Sequence, residues 1–490
     1  MAESLRSKTI HALSWSFLES ISYRGVQFII GIVLARLLSP EHFGLIGMLT
    51  IFMAVAQSFL DSGFGAALIQ KREATPIDAC SIFYFNIAVG LTVTGLLCLI
   101  APWIAAFYDQ PILTPLTRVL SLTVVINSFG LIQNTILTKA LNFKTQTKVS
   151  LIVGVLSGTI GVGLAAAGYG VWSLAFQQIF STVFRTVFLW LLNAWRPALI
   201  FRLRSLRELF GFGSRLLVVG LLQPIFGNLH LLVIGKLFSA ADLGFFARAM
   251  SMEELASQTL SWNVVGRVTF SVFSSIQDDP ARLKRGLKKA LTTLVLVNFP
   301  LMIGLAIIAR PLVLVLLTEK WAESIPYFQL LCIEGLIFPV HLINLNLLQA
   351  LGRSDLFLRL DIIKRVLIVI NITVTWRWGI SALIYGMIAH SIICYYLNSY
   401  YTGILIDYPM RKQLKDLFPY LIMALLMGIA LHVTGIIQFP NHWSMLLAQV
   451  AVGIGIYVFL CRLFRLTAFM EIWQGGWSEM LFLRAEATGK

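Results

Sequence analysis

Apolar stretches long enough to cross a bilayer recur along the whole chain, and no segment of soluble-domain size separates them. A crossing helix needs about 20 predominantly apolar residues, because inside hydrocarbon every backbone N–H and C=O must be satisfied within the segment. Hydropathy places fourteen such spans, at 11–38, 44–69, 81–107, 114–138, 149–167, 171–194, 210–237, 244–272, 290–309, 325–351, 357–376, 380–403, 417–436 and 443–461. A charged fraction of 12% and a mean hydropathy of +0.82 exclude a soluble globular domain. The expected fold class is an all-α polytopic membrane protein. Its first span runs past Leu38 without a small-residue cleavage site, so it reads as a retained helix rather than a signal.

The chain carries a formal net charge of +15, and the distribution of that charge matters more than its size. With the N-terminus placed in the cytoplasm, 27 of the 38 Lys and Arg fall on cytoplasmic segments and two, Lys320 and Arg377, on the other side. The clusters include Lys139, Lys144 and Lys148, then Arg282, Lys284, Arg285, Lys288 and Lys289, and Arg353, Arg359, Lys364 and Arg365. This bias predicts a multi-pass membrane protein with both termini inside. It explains the basic excess without nucleic acid, which is not an expected partner. The five cysteines lie in or at the edge of apolar stretches with no C-x-x-C pair, so neither a disulfide nor a metal site is expected.

A short passage is written twice. Residues 36–47 read RLLSPEHFGLIG and residues 236–247 read KLFSAADLGFFA, so Leu37, Ser39 and Gly44 recur as Leu237, Ser239 and Gly244. Leu137, Ala140 and Leu141 recur as Leu347, Ala350 and Leu351, and the run from Gly170 to Leu174 is echoed from Gly379 to Leu383. The offset equals six spans, an even number. The reading is two parallel six-helix lobes, 1–200 and 201–408, related by a pseudo-two-fold axis along the membrane normal, with two extra helices and a tail in 409–490. Such repeats occur in transporters that rock two lobes about a midplane site.

Ionisable residues inside spans are costly and mark function. Arg24, Arg215, Arg248 and Arg267 make the embedded set more basic than acidic, which suits an anionic cargo held in a cationic inter-lobe cavity. For span 8 the alternative is a structural network of Arg248, Glu253 and Glu254. Arg36 and Lys236 occupy equivalent repeat positions, as cavity rim or as snorkelling anchors. Glu19, Asp61 and His230 are candidates for binding a coupling ion, a proton or sodium. Pro224 and Gly227 interrupt span 7 as a hinge or as a packing adjustment, and Trp262, away from the aromatic belts, is a core packing residue or a stacking face for a sugar. The chain contains no P-loop, no Ser-His-Asp arrangement and no metal-spaced cluster, so no cofactor, no ATP-driven transport and no catalysis are expected.

Several motifs recur together: Asp61-Ser62-Gly63-Phe64, Ala67-Leu68-Ile69-Gln70, Phe83 with Asn86, Phe107-Tyr108, Leu141-Asn142-Phe143-Lys144, Trp195-Arg196-Pro197, Phe210-Gly211-Phe212-Gly213, Leu243-Gly244 and Arg248-Ala249. On these the chain, from about 15 to 410, resembles the Wzx-type polysaccharide flippases, close to the colanic-acid exporter branch of the multidrug/oligosaccharidyl-lipid/polysaccharide exporter superfamily. It departs from them at His230, Phe245 and Ser271, where the family usually has an acid or amide, a tyrosine and a proline. The resemblance implies translocation of an undecaprenyl-pyrophosphate-linked oligosaccharide, with the embedded arginines on the diphosphate, membrane lipids around it, and polysaccharide polymerase and glycosyltransferase machinery as partners. The alternatives are a drug/cation antiporter of the same superfamily, a peptidoglycan-precursor flippase, and a membrane-embedded glycan polymerase or ligase.

Overall fold

The computed structural model describes residues 24–61, 63–71, 75–257, 269–270, 272–437 and 439–475, and Glu19, Ser62, Trp262, Arg267 and Ser271 lie outside them. The described residues are helical, with no strand among them. In chain order the helices are α1 (24–37), α2 (Pro40–Asp61), α3 (Phe64–Gln70), α4 (Pro76–Tyr108), α5 (Leu113–Lys139), α6 (Phe143–Ala166), α7 (Val171–Leu192), α8 (Leu203–Gly227), α9 (Leu229–Leu237) and α10 (Ala240–Ser257). There follow α11 (Pro280–Ile307), α12 (Ala309–Leu317), α13 (Ser324–Ala350), α14 (Ser354–Thr375), α15 (Ile380–Ile406), α16 (Met410–Ile436), α17 (His442–Leu463) and α18 (Thr467–Gly475).

Among the described residues, eleven helices are long and apolar enough to cross a membrane. They correspond to all the expected spans except the first, the eighth and the eleventh. The first and eighth run into undescribed residues. The eleventh is α14, whose opening turns carry Asp355, Arg359, Asp361, Lys364 and Arg365. Arg359, Lys364 and Arg365, counted above with a cytoplasmic segment although the expected span 357–376 contains them, are helical. Lys364 is buried, and Arg365 pairs with Asp361 one turn earlier at 2.7 Å.

Local sequence sets the helix ends. Thr75 and Asp78 form a capping box at the start of α4: the Asp78 N–H donates to Thr75 Oγ1, the Thr75 N–H donates to Asp78 Oδ2, and Pro76 sits where no donor is needed. Ser239 and Asp242 cap α10 in the same way. At the matching position before α2, Ser39 pairs with the His42 imidazole instead. Asp279 caps α11.

Backbone contacts divide the chain into two compact units, Met1–Ala247 and Arg248–Lys490. In the first, α4 lies along α5, α5 and α6 lie along α7, and α2 is flanked by α8 and α9. Thus α8 and α9, which follow the first repeat in sequence, pack with it. Residues 193–202 are bound to this unit: Asn193 Nδ2 donates to the Gln133 carbonyl, Gln133 Nε2 to the Trp195 carbonyl, and the Arg202 N–H to Ser81 Oγ. In the second unit α11 packs on α13 and α16, α13 on α15, and α16 on α17, around a core that includes Leu287, Leu291, Leu347 and Ala424. The basic start of α11 is fastened by ion pairs from Lys284 to Asp407, Lys288 to Asp416 and Lys289 to Glu471. Large apolar side chains such as Leu99, Trp103, Ile429 and Ile454 are exposed, as lipid-facing residues are.

Candidate functional site

In lipid a packed leucine gains little over one facing acyl chains, so helices associate through close backbone approach and polar contacts. The repeated passage supplies such an approach. A Cβ on Gly44 would overlap the Ala240 carbonyl oxygen and stand 2.6 Å from its carbon. A Cβ on Gly244 would overlap the Pro40 carbonyl oxygen and stand 2.7 Å from its carbon. Pro40 and Ala240, like Gly44 and Gly244, are equivalent positions of the repeat. The contact is therefore isologous, residue i of one copy meeting residue j of the other and the reverse, as a two-fold axis between them requires. Lys236, at the end of α9, pairs with Asp109 at 2.9 Å and lies 5.4 Å over the Phe107 ring; its counterpart Arg36 is exposed at the end of α1.

The helix that follows the first repeat is broken. α8 contains Pro224 and ends at Gly227, and α9 begins at Leu229. Asn228 closes the break: its N–H and its side-chain Nδ2 both donate to the Pro224 carbonyl, at 3.1 and 2.7 Å. Pro224 lacks the N–H that would bond the Gly220 carbonyl, so the ladder is weakened in the turn that precedes the break.

Beside the break is a cavity of about 720 Å³. α2 contributes Phe52 and Phe59, α4 contributes Phe85 and Val89, and Ile225 and Leu232 contribute from either side of Asn228. Thr92 is the polar residue on the wall, and its hydroxyl is turned back onto the Ala88 carbonyl at 2.8 Å. Among the described residues, no arginine or lysine lines this space. Hydropathy could not separate these residues from lipid-facing ones, because both are apolar.

The embedded charges are placed as follows. Arg248 is 8% exposed, and its Nε and Nη2 have no hydrogen-bond partner among the described residues, so a structural pair with Glu253 does not form. Arg24 is half-buried on α1. Arg215 is carried by α8, and its side chain lies outside what the structure describes. Asp61 is exposed at the end of α2, accepting from Gln57 Nε2 at 3.5 Å, and His230 is half-buried on α9. The second unit holds an acidic pair that sequence did not bring together: Glu253 on α10 lies against the backbone of Gly335, and the neighbouring Glu334 accepts from the Ser391 hydroxyl. Both glutamates were legible as embedded acids. Their adjacency needs the packing of α10, α13 and α15.

A family model described as "Polysaccharide biosynthesis protein" matches residues 33–326. The chain is 28% identical over 374 residues to the "Lipopolysaccharide biosynthesis protein WzxC" of Escherichia coli (strain K12), covering 75% of each. It is 26% identical over 483 residues to the "Teichuronic acid biosynthesis protein TuaB" of Bacillus subtilis (strain 168), covering 93% of this chain and 96% of the relative. Its fold matches that of "Lipid II flippase MurJ, inward closed conformation", with a TM-score of 0.76 at 13% identity over 91% of this chain and 98% of the other.

Proposed function

The chain belongs to the polysaccharide biosynthesis protein family, and on that premise we propose that it is a flippase moving an undecaprenyl-pyrophosphate-linked oligosaccharide from the cytoplasmic to the periplasmic leaflet of the inner membrane. It is a transporter and not an enzyme. The observation that carries this reading is the isologous contact of Gly44 and Gly244 with the opposite copy's carbonyl. Two parallel repeats that meet by bare backbone at one end can part there and close at the other, as alternating access requires. In this reading 1–200 and 201–408 are the lobes, 409–490 is an appendix, and the basic segments hold both termini in the cytoplasm.

A cationic inter-lobe cavity holds the diphosphate through Arg24, Arg215, Arg248 and Arg267, with Trp262 against a sugar. The spare donors of the buried Arg248 support its part, since a buried guanidinium with unused N–H groups gains most from a bidentate anion. Arg36 and Lys236 form the rim, Pro224 and Gly227 the hinge, and Glu19, Asp61 and His230 take the coupling proton or sodium. Glycosyltransferases and a polymerase act before and after translocation.

The test replaces Arg24 or Arg248 by Ala in cells that depend on the protein for surface polysaccharide. Export should fall at least tenfold, about the value of one charge-assisted hydrogen bond, and lipid-linked repeat units should accumulate inside. Arg248→Lys, which keeps charge but loses the fork, should fall between. Unchanged export at normal protein levels would sink the arginine assignment. A drug/cation antiporter would change dye accumulation and leave the glycan lipids alone.

A further inference from the structure

The diphosphate reading leaves the other half of such a cargo, its long hydrocarbon chain, without a place, and the apolar cavity of the first unit has no role in it. We propose that this cavity holds the polyisoprenyl chain of the lipid-linked cargo during translocation; the assignment rests on the flippase reading above.

Three features support that occupant. The first is chemistry. Among the described residues the wall is apolar apart from the Thr92 hydroxyl, which is already bonded to the Ala88 carbonyl. Water entering finds no partners there, and neither would a headgroup or a sugar. The second is length. On α4 the wall runs from Phe85 to Ile100, about 22 Å at the helical rise. That is most of a hydrocarbon core about 30 Å thick, so the site suits a chain lying along the membrane normal rather than a compact ligand. Phe59 and Leu96 are exposed at its margin, which leaves a side open for a chain to enter from lipid.

The third is position. Ile225 and Leu232 stand on either side of the helix break at Asn228. Any rebending of α8 against α9 moves this wall, so the grip on the occupant changes with the conformational cycle. A permanent structural lipid gains nothing from such a wall, whereas cargo must be released. The cation-bearing part of α8 lies on the same helix: Arg204 and Arg207 are exposed, and Arg215 precedes Ile225 by ten residues, about 15 Å. A tethered diphosphate can therefore reach the arginines while its tail occupies the cavity.

The experiment uses the full chain in lipid nanodiscs and measures binding of undecaprenyl diphosphate, with phosphatidylglycerol as competitor. Val89→Trp fills the cavity from its α4 wall. Loss of about two buried methylenes' worth of contact corresponds to roughly tenfold in affinity, so Val89→Trp should bind undecaprenyl diphosphate at least tenfold more weakly than the wild type. Equal binding by the two proteins would overturn the assignment, as would equally strong competition by phosphatidylglycerol. Failure of the wild type to bind undecaprenyl diphosphate at all would overturn the flippase reading together with it. A diazirine-bearing undecaprenyl diphosphate, photolysed on the wild type, gives a readout independent of the variant's folding. It should label peptides within 51–59 or 85–100, and labelling confined to 410–463 would place the chain on the two C-terminal helices instead.

Discussion

Gly44→Ala adds a single methyl group at the point where the two copies of the repeat touch. The methyl carbon would stand 2.6 Å from the Ala240 carbonyl carbon, where ordinary contact begins at 3.4 Å. The two helix starts must therefore part by more than 0.8 Å, since the carbonyl oxygen is nearer still, and the atoms in the way are backbone, which cannot rotate aside. Overpacking of this kind costs about 1–3 kcal/mol. At an open helical site the same substitution would gain about 0.8–1.0 kcal/mol from helix propensity. Gly95→Ala, on α4 with nothing within 4 Å of the added carbon, is that control. Thermal unfolding in detergent should show Gly44→Ala lowered by several degrees and Gly95→Ala unchanged or raised. Gly244→Ala should match Gly44→Ala, because its methyl meets Pro40 in the equivalent way. The double variant should cost less than the two singles together, since one separation relieves both clashes. If Gly44→Ala is as stable as Gly95→Ala, or if the two costs simply add, the isologous contact does not exist and the two-fold argument falls with it.

Three further outcomes are expected. Asp407, outside the membrane spans, is held down to about 2 by its hydrogen bonds from Lys412 and then Lys284. A depressed carboxylate contributes stability above its unfolded value near 3.8 and loses it as pH falls through about 2. Asp407→Asn, which keeps a residue tolerant of the left-handed φ of 52°, should thus lower stability modestly at neutrality, flatten its pH dependence between about 4 and 2, and leave it unchanged below about 2. Asp78→Ala removes both half of the α4 capping box and the 2.8 Å partner of Lys71, and should lower the denaturant midpoint by an amount equivalent to about 1–2 kcal/mol. Pro224→Ala returns a donor to the Gly220 carbonyl in the turn before the break, so export should slow while the unfolding temperature holds or rises; full-speed export would remove the hinge role.

Much of the fold was legible because its signals are local. Span length depends on neighbours in the chain, and eleven of the fourteen expected spans are long apolar helices among the described residues. Polar placement was less legible. Lys364 counts with a cytoplasmic segment by composition and is buried on α14. Arg248 and Glu253 lie close on one helix, yet Glu253 rests on Gly335 from a segment some eighty residues away, and Arg248 keeps free donors.

The sequence by itself determined an all-helical membrane protein and a passage written twice, because hydropathy and internal similarity are properties of order along the chain. Only the tertiary structure decided that Gly44 and Gly244 lie against the opposite copy's carbonyl, that α8 yields at Asn228, and that apolar residues of α2, α4, α8 and α9 line one cavity with an open side. Each of those depends on groups tens to about two hundred residues apart, and an apolar side chain carries no mark of whether its neighbour will be another helix or an acyl chain.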